Sequence, residues 1–315
     1  MSVLQALQSR AAPFVALRRD LHRHPELGLQ EFRTSELLAE QLQSWGYTVT
    51  RGLASTGLVA QLQRGSGHKR LGLRADMDAL PIHEANDLPH CSVHAGVMHA
   101  CGHDGHSAML MAAAQYIAQE VEFSGTLNLI FQPAEEHPGG AKIMIEEGLF
   151  ERFPCDAIFA AHNMPGVPAG QLVFIEGPAM ASSDDVTITL TGVGGHGAMP
   201  HRAQDPIVAA AAIVMTLQTI VSRNVDPQHT AVITVGSLVA GKANNVIPAS
   251  ARLELSVRSL DREVRDLLQE RITALVTAQA QSLGVLAHID YKRDYPVLVN
   301  TAAETELARQ VGTEL

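Results

Sequence analysis

Short apolar runs, each followed at once by residues that can bind a metal, dominate this sequence. Residues 70–75 lead into Asp76-Met77-Asp78. Residues 126–131 lead into Gln132-Pro133-Ala134-Glu135-Glu136, and 157–161 into His162-Asn163. Each run reads as a buried strand bounded by a turn. Between the first and second lies His99-Ala100-Cys101-Gly102-His103-Asp104-Gly105-His106, at the start of an Ala/Met/Leu helix expected over 104–119. Strands alternating with helices predict an α/β fold on a mostly parallel sheet. Ligands bind such sheets beyond the carboxyl ends of the strands. The pattern therefore predicts Cys, His, Glu and Asp gathered at four successive strand ends of one sheet.

The rest of the chain supplies the layers. Residues 2–24 carry Leu4, Leu7, Phe14, Leu17 and Leu21 at helical spacing and stop before Pro25. A second helix is predicted over 34–45, short strands over 47–50 and 57–63, and a short helix over 140–147. From residue 185 the texture changes. Residues 186–191 alternate with period two. Asp205-Pro206 then opens a long helix, with Asp as its cap and Pro at its first position. Strands over 231–235 and 251–257, an amphipathic helix over 260–283 and a strand over 286–291 follow. This order predicts a small α+β sandwich with a single sheet over 183–294. It is inserted in a first domain of residues 1–182 that continues over 295–315, where a last helix begins at 301.

Composition excludes several classes. With 23 Lys and Arg against 33 Asp and Glu, the formal charge is −10, which disfavours nucleic-acid backbones and anionic membranes. Three cysteines do not make a disulfide framework, and no secretory signal opens the chain, so a cytoplasmic location is expected. The uncharged, apolar stretch 206–222 contains Thr and Gln and reads as a buried core helix rather than a membrane span. Histidine is the unusual residue: 15, against 4 Tyr and 1 Trp.

Cys101-Gly102-His103 sets a soft thiol and an imidazole on one short loop at a helix start, an arrangement suited to metal ligation. An ordinary His-rich loop, His106 packing on its helix, and a Cys–His nucleophile pair are the alternative readings. Glu135 and Glu136 are adjacent carboxylates that a cation would compensate. One suits a ligand and the other a general base on water; a solvated acidic loop is the alternative. His162 after its strand reads as a ligand or as structural. Asp76 and Asp78 suit partners that orient a ligating His. In the insert, Gly192-Val193-Gly194-Gly195-His196-Gly197 formally matches a dinucleotide fingerprint. Pro200 intervenes and position 212 is Ala, not an acid, so that reading fails. The loop instead presents His196. Asn245 and Arg258 offer an amide and a guanidinium, and Arg258 suits a carboxylate or a surface ion pair.

In their order, several motifs resemble the M20 metallopeptidase family, and most closely its amidohydrolase branch. They are Leu21-His22-Arg23-His24-Pro25-Glu26-Leu27, Arg74-Ala75-Asp76-Met77-Asp78-Ala79-Leu80-Pro81, the Cys-Gly-His-Asp-Gly-His run, Gln132-Pro133-Ala134-Glu135-Glu136, Gly195-His196-Gly197-Ala198-Met199-Pro200-His201 and Asn245-Val246-Ile247-Pro248. The resemblance spans nearly the whole chain. It implies a zinc-exopeptidase-like catalytic domain, an inserted lid and dimerisation domain, and two divalent metal ions, Mn or Zn with Co or Ni as alternatives. Cys101, His103, Glu136 and His162 correspond to metal ligands, Glu135 to the general base, and His196 to the histidine that stabilises the oxyanion in a partner's site. Asn245 and Arg258 correspond to residues that hold the substrate carboxylate. The implied activity is hydrolysis of N-acyl amino acids by a homodimer.

The resemblance also implies one more metal-ligating His near the C-terminus, whereas the last His here is His288. A C-terminally truncated chain is therefore expected. A non-catalytic relative that binds acyl amino acids is the alternative reading, and the Glu135-Glu136 pair argues against it.

Overall fold

The computed structural model describes Ser2–Glu314. The chain divides into two compact units. Val173–Val311 forms one; the residues before it, with a few after it, form the other.

The first unit opens with α1 (Val3–Ser9) and α2 (Ala11–Arg23), where the sequence predicted one helix over 2–24. Pro13 explains the break: in a continuous helix its ring would clash with the carbonyl of Ser9. It sits instead in the first turn of α2, where no N–H is needed. There follow α3 (Phe32–Ser44), β1 (Thr48–Leu53), β2 (Gly57–Arg64), β3 (Arg70–Asp76), α4 (His103–Glu120), β4 (Gly125–Gln132), α5 (Gly140–Glu146), α6 (Leu149–Arg152) and β5 (Ala157–Ala160).

The strands form one sheet in the order β1-β2-β4-β3-β5. The pairs β4–β3 and β3–β5 are parallel, as the alternation of strands and helices predicts. The pairs β1–β2 and β2–β4 are antiparallel, so the sheet is mixed. Leu58, Leu127, Leu129 and Phe131 share one core with Leu17 and Leu21 of α2, Leu38 and Leu42 of α3, and Met111 of α4. Val59 and Ile130 belong to a second core with Met144 of α5 and Leu149 of α6. The period-two alternation of β2 and β4 thus feeds a helical layer on each face. Register matters most for function. Asp76 pairs with Gln132, and Arg74 with Ala160, which aligns the carboxyl ends of the three parallel strands.

The second unit contains β6 (Gly177–Met180), β7 (Asp184–Thr191), β8 (Gly195–His196), α7 (Pro206–Arg223), β9 (Ala231–Ala240), β10 (Val246–Ile247), β11 (Ser250–Ser259), α8 (Arg262–Ser282), β12 (Leu286–Arg293) and β13 (Leu298–Asn300); α9 (Ala302–Glu314) comes last. Its main sheet is antiparallel, in the order β12-β7-β11-β9. Alternate residues Val186, Ile188 and Leu190 of β7 and Leu253, Leu255 and Val257 of β11 are buried with Ile213 and Leu217 of α7 and Leu268 and Ile272 of α8. The unit begins near residue 173 and runs past 294 because β6 pairs with β13. Helix α7, at 18 residues, is long and apolar enough by length and composition to cross a bilayer. Ala209, Ile213, Leu217 and Ile220 nevertheless lie in the core of this unit, where a folding helix buries an apolar stripe.

One ion pair is buried beside that core. The fully buried Asp184 accepts from Arg265 Nε at 2.9 Å and from the Tyr291 hydroxyl at 2.9 Å. Asp184→Ala leaves the Arg265 guanidinium buried without its counter-charge, and the expected loss of stability is about 3–5 kcal/mol. Urea unfolding followed by circular dichroism checks this. An unchanged midpoint would remove the pair from the account of stability.

Candidate metal centre

The site assembles beyond the carboxyl ends of β3, β4 and β5. Asp76 ends β3 and Asp78 follows it; Glu135 and Glu136 follow β4; His162 follows β5. The Cys101–His103 run does not lie at a strand end, as the sequence suggested. It opens α4, after the long loop that leaves β3. Gly102 is the cap of α4 at φ 90°, and a Cβ there would meet the Asn163 side chain at 2.6 Å. This glycine therefore lets Asn163 lie against the turn that carries Cys101 and His103.

Two donor groups meet at His103. Cys101, His103 and His162 offer ligand atoms within 4.8 Å of one another, and so do His103, Glu135 and Glu136. Cys101 Sγ lies 3.5 Å from His162 Nε2. The sequence-predicted ligands thus come together, with Glu135 among them. A third group, Asp76, His103 and His106, is fully buried. In it His106 is already committed, because Nδ1 donates to Asp76 at 2.7 Å and Nε2 accepts from the Asn163 N–H at 3.0 Å. His106 is therefore a tie that fixes the His162-Asn163 turn.

The acids after β3 act as partners of these rings. His103 Nδ1 donates to Asp78 Oδ1 at 3.1 Å, and the Glu136 N–H donates to Asp78 Oδ2 at 3.0 Å. With Nδ1 so held, His103 Nε2 is completely buried and has no hydrogen-bond partner. Leaving a buried polar atom unpaired is costly. A divalent cation satisfies it, and an imidazole backed by a carboxylate is the usual form of a ligating His. The donor set of thiol, imidazole and carboxylate suits a first-row divalent ion. The residues present therefore fit the group.

The crowding of thiol, imidazole and carboxylate sets the charge states of the metal-free site. The neighbouring His103 and then His162 hold the Cys101 thiol below its usual range. Burial would lower the His103 imidazole, but its bond to Asp78, the neighbouring Cys101 and the nearby acids raise it to about 11. Glu135 is pushed up by burial and then by the charge of Glu136.

Other histidines of the motifs are scaffold. His22 bridges Asp104 at 3.0 Å and Glu84 at 3.2 Å, and burial pushes His99 down to about 4. One buried acid went unnoticed in the sequence. Glu31 accepts from the Ala134 N–H at 2.8 Å and from the Thr56 hydroxyl at 2.5 Å. Its only sequence signal is a charge just before the apolar positions of α3.

In the second unit, His196 and Asn245 come together. β8 pairs with β10, His196 opposite Val246, and the Gly197 N–H donates to the Asn245 carbonyl at 2.8 Å. His196 Nδ1 accepts from the Ala198 N–H at 3.1 Å, which leaves Nε2 as the proton-bearing nitrogen. Both side chains are exposed. Arg258 is placed elsewhere. It lies near the far end of β11, eight residues beyond Ser250, or about 26 Å along the strand. It donates to the Ser256 hydroxyl at 3.2 Å.

Comparison with known proteins places this arrangement in a lineage. Residues 72–315 match Peptidase family M20/M25/M40. The chain is 44% identical to hippurate hydrolase of Campylobacter jejuni over 315 residues, all of this chain and 82% of that protein. It is 42% identical to N-acetyldiaminopimelate deacetylase of Geobacillus thermodenitrificans, over 93% of this chain and 78% of that one. Among solved structures, a Bacillus subtilis dinuclear metal-binding peptidase of the M20 family superposes with a TM-score of 0.79 at 32% identity, covering 98% of this chain and 80% of that one. The chain belongs to peptidase family M20/M25/M40, as a hydrolytic enzyme.

Proposed function

We propose that the chain is a metal-dependent amidohydrolase that splits N-acyl amino acids, hippurate-like or N-acetylated, into a carboxylic acid and a free amino acid. The carrying observation is the meeting of two donor groups at His103, whose buried Nε2 lacks any partner. The substrate class is supported by the hippurate hydrolase and deacetylase relatives. Cys101, His103, Glu136 and His162 would hold two divalent ions, Mn or Zn with Co or Ni as alternatives. Such ions acidify water and polarise the amide carbonyl.

This chain's own residues supply the rest. Glu135 takes the proton of the attacking water and delivers it to the leaving amine. A carboxyl raised by burial and by Glu136 is suited to both tasks. His196 would reach the site of a second copy and offer Nε2–H to the oxygen that gains charge as the tetrahedral intermediate forms there. The amide of Asn245 and the guanidinium of Arg258 hold the carboxylate of the substrate.

Residues 1–182 with 295–315 are the catalytic domain in this reading, and residues 183–294 form the lid and dimerisation domain. The partner is a second copy of the chain. β9 is an edge strand with Val239 66% exposed, and α7 of the same unit leaves Met215 70% exposed. Apolar side chains at a sheet edge mark a surface that pairing would cover. The three cysteines are all free thiols, which suits a cytoplasmic enzyme.

Elemental analysis after reconstitution with Mn or Zn is expected to find two ions per chain, together with turnover of a panel of hippurate and N-acetyl amino acids. One ion or none would overturn the two-metal reading. Glu135→Gln should keep its metal and lose turnover by about 10²–10⁴-fold; near-normal turnover removes Glu135 as the base. Asp78→Ala, with every ligand intact, should weaken metal binding about 10–100-fold in competition with a chelator. Sedimentation should give twice the chain mass, and a monomer at all concentrations would sink the homodimer.

A further inference from the structure

Glu31 is a fully buried acid with no part in the chemistry described so far. Its exposure is 0%, and its sequence neighbourhood is shared with no ligand. Its carboxylate reaches across 103 residues of sequence to the N–H of Ala134, the residue before the base. Ala134 needs such a hold. It is a non-glycine residue at φ 48°, a conformation that costs of order 1–3 kcal/mol and persists only where the surroundings fix it. Its carbonyl is fixed as well, by the N–H groups of Gly139 and of Gly140, the latter at 2.8 Å.

The segment around Glu31 touches both sides of the site. The Ala79 N–H donates to the Glu26 carbonyl at 2.8 Å, and Leu27 bridges Ala79, beside Asp78. A Cβ on Gly28 would stand 2.9 Å from the Ala134 Cβ and 2.3 Å from the His137 carbonyl. Residues 26–31 therefore lie directly on the turn that carries Glu135 and Glu136. Thr56 donates to the second oxygen of Glu31 and fixes its rotamer from the β1–β2 turn.

We propose that Glu31, anchored by Thr56, is a positioning residue that locks the Ala134 turn and so aims Glu135 at the reacting water and Glu136 at the metal. The proposal rests on the reading of Glu135 as base and Glu136 as ligand. Glu31 touches neither substrate nor metal in it. Its acceptor oxygen matters, and the charge does not, since an amide oxygen can take the same N–H.

Three variants test this. Glu31→Leu removes the acceptor, Glu31→Gln keeps it, and Thr56→Val removes only the anchor. Amide exchange is read by mass spectrometry on the peptide around Ala134 in the metal-free full chain, beside kcat and KM on the best substrate of the panel. Glu31→Leu should lose protection of the Ala134 amide and lower kcat on the order of 10²-fold at nearly unchanged KM, the cost of a small misplacement at the reacting atoms. Glu31→Gln should restore both. Thr56→Val should show a smaller loss of each, and it carries the test should Glu31→Leu not fold. Wild-type protection and kcat in Glu31→Leu or in Thr56→Val would overturn the proposal, as would a Glu31→Gln no better than Glu31→Leu. Exchange needs neither substrate nor metal. A wrong assignment of the base, exposed by an active Glu135→Gln, is thereby told apart from a wrong role for Glu31.

Discussion

The carboxylate of Asp78 ties together parts of the chain that the sheet alone would leave independent. One oxygen takes the ring N–H of His103 at the start of α4, and the other takes the backbone N–H of Glu136 after β4. Asp76, two residues earlier, takes the ring N–H of His106, whose other nitrogen takes the backbone N–H of Asn163 after β5. Two acids at one strand end thus fix a helix start and two neighbouring strand exits. Charge-assisted bonds of this kind are roughly twice as strong as neutral ones and set direction as well as distance. They also impose a requirement. Once Asp78 holds Nδ1, Nε2 of His103 faces the remaining donors with nothing to bind. The same tie that stiffens the loop leaves the nitrogen poised for a cation.

The site is maintained against local cost. Glu135 is an acid whose burial and neighbour both disfavour its charge, and Ala134 occupies left-handed backbone space without being glycine. Neither is stable by itself. Both are carried by the rigid elements around them. β4 has residues in a core on each of its faces, and the segment at Gly28 packs against the turn from outside. Flexible loops hold ligands poorly, because catalytic geometry tolerates little displacement. Here the loops are crowded and bonded back to one another through Asp76, Asp78 and His106, which converts irregular backbone into a defined constellation.

Much of this was legible in the sequence because it rests on local pattern. Period-two alternation located β7, the Asp205-Pro206 signal located the start of α7, and the apolar run before Glu135 located β4. The chemistry of the Cys-Gly-His and Glu-Glu pairs was visible for the same reason: the residues that act are neighbours. What escaped was non-local. β6 and β13 are short, lack alternation and exist only because they pair across more than a hundred residues. Pro13 broke the first helix at a point where hydrophobic spacing alone ran on. Glu31 looked like one more surface acid before a helix, and only the three-dimensional register brings Ala134 and Thr56 to it. Of the two imidazoles that lower the Cys101 thiol, His162 lies 61 residues away in sequence.

Geometry in the second unit bears directly on how a carboxylate could be held there. The β8–β10 ribbon joins His196 to Asn245, and the Ala198 N–H fixes the tautomer that leaves Nε2–H available. Arg258 belongs to the other end of β11, a separation of about 26 Å from Ser250 at 3.3 Å per residue. An N-acyl amino acid is much shorter than that. If Asn245 and Arg258 both grip one substrate carboxylate, as proposed, a single copy of this unit does not bring them to it. Two copies can, because a twofold axis sets the near end of one chain against the far end of another. The edge strand β9 lies beside β11 in the sheet and is open to such pairing. That separation along β11 supports the proposed homodimer beside the exposed apolar side chains. It would make the second copy part of the substrate site rather than a mere stabiliser.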